Sequence, residues 1–161
     1  MSDLLWGAVK NFFNPDLMGT LPDIYVHDTS VEDWQAVFDL IQSKGWPFEY
    51  SEGLRLRQLP SAAEVLSRPD DAEIVMVRVW PVPDVLAIFR PWSATEIDFD
   101  VDLRQLQGQA GVNALCDLLA TVGRRVGKAV SMTSEGSSYF PVLGYQPAAD
   151  RVVLLANPQF D

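Results

Sequence analysis

The sequence predicts an α+β fold: a single domain built on one mainly antiparallel, twisted sheet, with two main helices packed on one face and an N-terminal helix before it. Three observations predict this. Residues 73–102 read as three consecutive strands joined by short turns, and such a meander can only pair antiparallel. Two stretches, 31–41 and 112–126, carry apolar residues at intervals of 3 and 4, the spacing of a one-sided helix. Finally, Glu96-Ile97-Asp98-Phe99-Asp100-Val101-Asp102 alternates strictly, so one face of that strand enters a core while the other meets water. Helices gathered on one side of an antiparallel sheet satisfy all three.

In chain order, residues 1–14 form an amphipathic helix that Ser2 can cap, with Leu5, Ala8, Val9, Phe12 and Phe13 on one side and Asn14-Pro15 as the stop. Its polar side lacks the basic residues of interfacial membrane helices, so its apolar stripe packs on this domain or on a second copy in a homodimer. Asp23 to His27 is extended. Thr29 and Ser30 both stand at capping-box spacing from an acid, Glu32 and Asp33 respectively. The helix they open carries Val31, Trp34, Val37, Phe38 and Ile41 inward and ends at Lys44-Gly45.

Trp46–Tyr50 and Leu54–Gln58 form a hairpin around Ser51-Glu52-Gly53. Pro60-Ser61 starts a short helix through Leu66. In the meander, Ile74–Trp80 is nearly all apolar, as for a strand covered on both faces in the middle of the sheet. Pro81 to Asp84 turns the chain, Val85–Arg90 returns, and Pro91-Trp92-Ser93 turns it again. The second long helix follows, with Cys116 in its apolar stripe as a small core residue and Gly127 at its end. Ala129–Thr133 is a strand, and Phe140–Tyr145 with Arg151–Leu155 closes the chain as a hairpin.

Composition narrows the function. With 48% hydrophobic and 21% charged residues, 161 residues suffice for one packed core. The formal charge of −10 is lopsided: residues 1–102 hold 18 acids against 7 Lys/Arg, residues 103–161 only 4 against 5. That field repels nucleic-acid phosphates and steers basic proteins inward. No apolar run spans a bilayer, and the N-terminus lacks a basic region and cleavage signal, which predicts a cytoplasmic protein with no membrane partner. A single cysteine fits a reducing compartment, and one Cys with one His cannot build a nitrogen–sulfur zinc site.

Catalytic motifs are missing. Gly123 to Ala129 has a residue too few for a phosphate-binding loop and ends in Ala instead of Ser or Thr. No nucleophile elbow is present, and His27 is the only histidine that could activate Ser137 or Ser138. The sequence therefore predicts a non-enzymatic protein, with no cofactor and no metal.

The acidic row Glu96, Asp98, Asp100 and Asp102 is the candidate site. A straight strand spreads carboxylates along a line, whereas a cation needs them to converge. A metal- or carboxylate-dependent hydrolase built on these acids is one alternative, and a structural or oligomeric module is another. If Arg55, Arg57, Arg78 and Arg90 on neighbouring strands neutralise the row, it is architecture. If they do not, the row is a surface for a basic protein partner, with Trp92 as an aromatic anchor.

From Thr95 onward, EIDFDVDL, ATVGRRVGKAVSMTSEG and PVLGYQPAADRVVLL together resemble small acidic bacterial toxin-immunity proteins over residues 95–161. The resemblance implies a single-domain cytoplasmic inhibitor that binds a cognate toxin, and it assigns no individual residue a role.

Overall fold

A computed structural model describes residues 3–137 and 140–156. Among them a nine-stranded antiparallel sheet runs in the order β3-β2-β4-β5-β6-β1-β7-β8-β9, twisted and unclosed. The strands are β1 (Asp23–His27), β2 (Phe48–Glu52), β3 (Arg55–Arg57), β4 (Val75–Val82), β5 (Val85–Phe89), β6 (Glu96–Val101), β7 (Val130–Thr133), β8 (Leu143–Gln146) and β9 (Arg151–Leu154). The long helices are α3 (Val31–Ser43) and α5 (Gly108–Val126), with α4 (Ala62–Leu66) beside α3.

One face of the sheet makes the core. Ile24 and Val26, Val77 and Val79, Ala87 and Phe89, Ile97 and Phe99, Val130 and Met132, and Leu143 and Tyr145 are all buried. Phe89 and Phe99 lie directly opposite each other on β5 and β6, their rings stacked 4.4 Å apart. Onto this face α3 brings Trp34, Val37, Phe38 and Ile41, and α5 brings Val112, Leu115, Leu119 and Val122. Gly123 lets the α5 backbone close on the Tyr145 ring, which any Cβ there would strike. Cys116 is buried, as expected of a small core residue.

Caps fall where their chemistry requires. Ser30 and Asp33 bond each other's backbone N–H groups at 3.2 and 3.1 Å, so Ser30 and not Thr29 opens α3. Gly127 ends α5 in the left-handed conformation.

The N-terminal segment differs from one continuous helix. It breaks into α1 (Trp6–Val9), a 3₁₀ turn (Lys10–Phe13) and α2 (Pro15–Met18), the last capped by Asn14. Ser2 lies outside the described residues, and Leu5 stands at the cap position instead. Val9, Phe12, Phe13 and Met18 are buried while Leu5 and Ala8 are exposed. Gln107 and Gln109 tie the segment to α5 through the carbonyls of Phe13 and Leu4, and Gln109 also accepts from Trp6 N–H. Phe12, Phe13 and Met18 are thus engaged within the chain, while Leu5 and Leu17 remain exposed.

Two strand readings also change. The first hairpin turns two residues later than expected, at Gly53-Leu54, leaving Ser51 and Glu52 buried within β2. On β4, Val75, Val77 and Val79 are buried, but Met76, Arg78 and Trp80 are only half-buried. The sheet's second face is thus only partly covered at its apolar strand, although Ser51, Asp100 and Thr133 on that face are buried.

Candidate functional site

The acidic row lies on this second face, with Glu96 and Asp98 half-buried and Asp100 buried. Glu96, Asp98 and Asp100 occupy alternate positions of β6, their apolar neighbours Ile97, Phe99 and Val101 all being buried. Opposite them β1 places His27, Tyr25 and Asp23, in register with Glu96, Asp98 and Asp100 respectively. A fourth carboxylate, Asp23, thereby joins three from β6. Asp102 leaves the row: it caps the following 3₁₀ turn (Leu103–Gln105), accepting from Arg104 N–H and holding its guanidinium at 2.8 and 3.0 Å.

A single arginine serves the group. Arg90 Nε donates to Asp100 Oδ2 at 2.9 Å, while Asp100 Oδ1 is buried without a hydrogen-bond partner. Of the other arginines expected to neutralise the row, Arg55 and Arg57 pair with Glu52, and Arg78 reaches Ser51 Oγ and Met76 S. Among the described residues, Glu96 and Asp98 form no salt bridge.

Crowding shows in the titration of these groups. Burial, followed by the charges of Asp23, Glu96 and Asp100, pushes Asp98 up to about 6. Asp100 is also raised, by burial, against the restraining hydrogen bond and charge of Arg90. Tyr25 is pushed up to about 12, first by burial and then by Asp23, Asp98 and Glu96.

Next to the row, Trp92 is 65% exposed, an unusual position for so large an apolar side chain. The Arg90 guanidinium stands over its ring, 5.9 Å from the centroid. Tyr25, Arg90, Trp92, Ser93, Glu96 and Asp98 line an open recess of about 270 Å³. Tyr25 and His27 stack 5.8 Å apart at its edge. An aromatic wall beside two unpaired carboxylates suits a cationic side chain. Among the described residues no group of three or more His, Cys, Asp or Glu side chains is placed to hold a metal ion, and no helix is long and apolar enough to cross a membrane.

The sequence reading missed Asp23 and Tyr25. The alternation of Asp23-Ile24-Tyr25-Val26-His27 does carry their signal, since it assigns all three polar residues to one face. It does not say that β6 is the neighbour. Glu52 was missed because it was expected in a solvated turn.

No protein-family model matches the chain, and no curated protein matches it either.

Proposed function

We propose that the protein is a non-enzymatic binding module that docks a basic protein partner on the acidic face of its sheet. An immunity protein neutralising a basic toxin is the specific form this takes, following the resemblance of residues 95–161. The observation that carries the reading is the charge imbalance on the sheet's second face: among the described residues, Arg90 pairs with Asp100, and Asp23, Glu96 and Asp98 form no salt bridge. Desolvating like charges without compensation costs stability, so a fold tolerates it best where a ligand supplies the missing charge. Trp92 supplies exposed aromatic area next to those acids, the arrangement typical of an interface anchor.

The test isolates the partner on immobilised protein from the native organism, then times association of the purified pair across ionic strengths. The paired variant Glu96→Lys/Asp98→Lys should slow association at least about tenfold at low salt, with the difference shrinking as salt screens the field. Trp92→Ala should instead speed dissociation while changing folding stability by no more than about 0.5 kcal/mol, as for an exposed residue. Association rates unaltered by the two lysines would overturn the assignment.

A further inference from the structure

The opposite end of the sheet carries a second, independent surface. β3 is a terminal strand, paired with β2 only. The turn at Gly53-Leu54 makes Glu52 and Arg55 the hydrogen-bonded pair that closes the hairpin, so bonding alternates from there. The alternation is visible on the other side of β2, where Gly53 N–H and Pro47 C=O bond to Ile74 and Trp80 across β4. By the same alternation Leu56 turns its N–H and C=O outward, away from β2.

Charge and apolar area divide between the two faces of this edge. On the helix side, Arg55 and Arg57 remain 68% and 45% exposed although both contact Glu52. Glu52, buried, takes contacts from both and from Arg68, and Glu64 also acts on Arg57, so Arg55 and Arg57 are the positive charges that stay exposed along this edge. On the other side Leu54 and Leu56 are 103% and 59% exposed, and Ile74 61%. Leu56 and Met76 flank Ser51 from its two neighbouring strands, so the leucine continues an apolar corner of the sheet.

A second copy does not fit this edge. Two-fold antiparallel pairing sets residues of the same face opposite one another. Every register centred on Arg55, Leu56 or Arg57 then places arginine against arginine, and like charges directly opposite are destabilising. An acidic strand meets no such penalty. We infer that the free edge of β3 accepts an extended segment of another protein as a tenth strand, with acidic side chains facing Arg55 and Arg57 and apolar ones facing Leu54 and Leu56. Main-chain bonds to Leu56 would give the affinity and the arginines the selection. This surface is separate from the acidic face and calls for the opposite charge.

The experiment uses the full chain and two blocked peptides, one alternating glutamate with valine and one alternating lysine with valine, followed by amide hydrogen exchange. The glutamate peptide should bind and slow exchange at Leu56 N–H at least about tenfold at saturation, while the lysine peptide leaves it unchanged. Arg55→Glu, at a contact of only 3.5 Å to Glu52, should reverse that preference while the Arg57–Glu52 bond keeps the hairpin closed. Leu56→Pro removes the outward N–H without touching a β2 bond and should abolish binding of either peptide. Equal binding of the two peptides, binding without protection at Leu56, no binding of the glutamate peptide, or undiminished binding by Leu56→Pro would each overturn the inference.

Discussion

Two charged clusters in this molecule solve opposite problems. Around Glu52, one buried carboxylate meets three arginines and a tyrosine. Arg57 Nη1 donates to both of its oxygens at 2.9 Å, Arg68 approaches at 3.0 Å, and Tyr50 donates at 2.8 Å. On the acidic face, among the described residues, Arg90 pairs with Asp100 and leaves one of its oxygens unpartnered, while Asp23, Glu96 and Asp98 form no salt bridge. The contrast shows in protonation. The hydrogen bond from Arg57 holds the Glu52 carboxyl below its usual range, whereas burial and neighbouring acids raise Asp98 and Asp100. Burial alone therefore does not mark a functional charge. Glu52 is buried, yet three arginines and a tyrosine compensate its charge, whereas Asp98 and Asp100 are only partly compensated by Arg90.

The sharpest way to break this comparison is Glu52→Ala. It strands the buried Tyr50 hydroxyl and leaves the arginines facing one another, so unfolding free energy at pH 7 should fall by about 3 kcal/mol in a urea titration. The stability Glu52 contributes should be present above the usual carboxylate range and disappear as pH falls through its lowered value. A loss smaller than that from Arg90→Met would contradict the assignment of Glu52 as the structural centre.

Arg90→Met comes next. It leaves Asp100 buried with no countercharge, and a loss of about 2 kcal/mol is expected at pH 7. At pH 5 the loss should shrink, because an Asp100 freed of Arg90 rises further and takes up a proton. A loss that stays the same at both values would mean that the arginine acts through packing on Trp92.

The smallest effect has the opposite sign. Asp98 titrates near 6 in the folded chain against an ordinary 3.8, so the native state binds more protons than the unfolded one between those values. Stability should therefore decline as pH rises from about 4 to about 6. Asp98→Asn should flatten that decline and gain on the order of 1 kcal/mol at pH 7, visible as a raised Tm. A destabilised variant would show that the row is already compensated.

Much of the fold is legible in the sequence because its signals are local. The capping box at Ser30 and Asp33, the glycine ending α5 and the alternation of β6 each involve residues within a few positions. The failures are failures of distance. Ser51-Glu52-Gly53 has the composition of a turn, and only Arg57 and Arg68 together explain why Glu52 sits inside a strand. Ile74–Trp80 has the composition of a fully buried strand, but nothing in the described residues covers Met76, Arg78 and Trp80. The site itself was half legible. Glu96 and Asp98 stand where alternation puts them and Trp92 is exposed in its turn, while Asp102 is drawn off by Arg104 two residues away and Asp23 arrives from a strand far back in the sequence.

That last strand has a consequence for how the molecule is made. β4 to β6 are neighbours that succeed one another in the chain, with the β2–β3 hairpin added to them through β2, and β7 to β9 form another such run. β1 alone joins them, pairing with β6 on one side and β7 on the other, neither of them near it in sequence. These pairings join strands closer in the chain than those of the seam, where β1 at residues 23–27 must meet β6 at 96–101 and β7 at 130–133, and contacts of such separation slow the folding of a sheet. β1 also brings Asp23 and Tyr25. The acidic face is therefore assembled from strands far apart in the chain, so its completion is the step that sequence separation slows most.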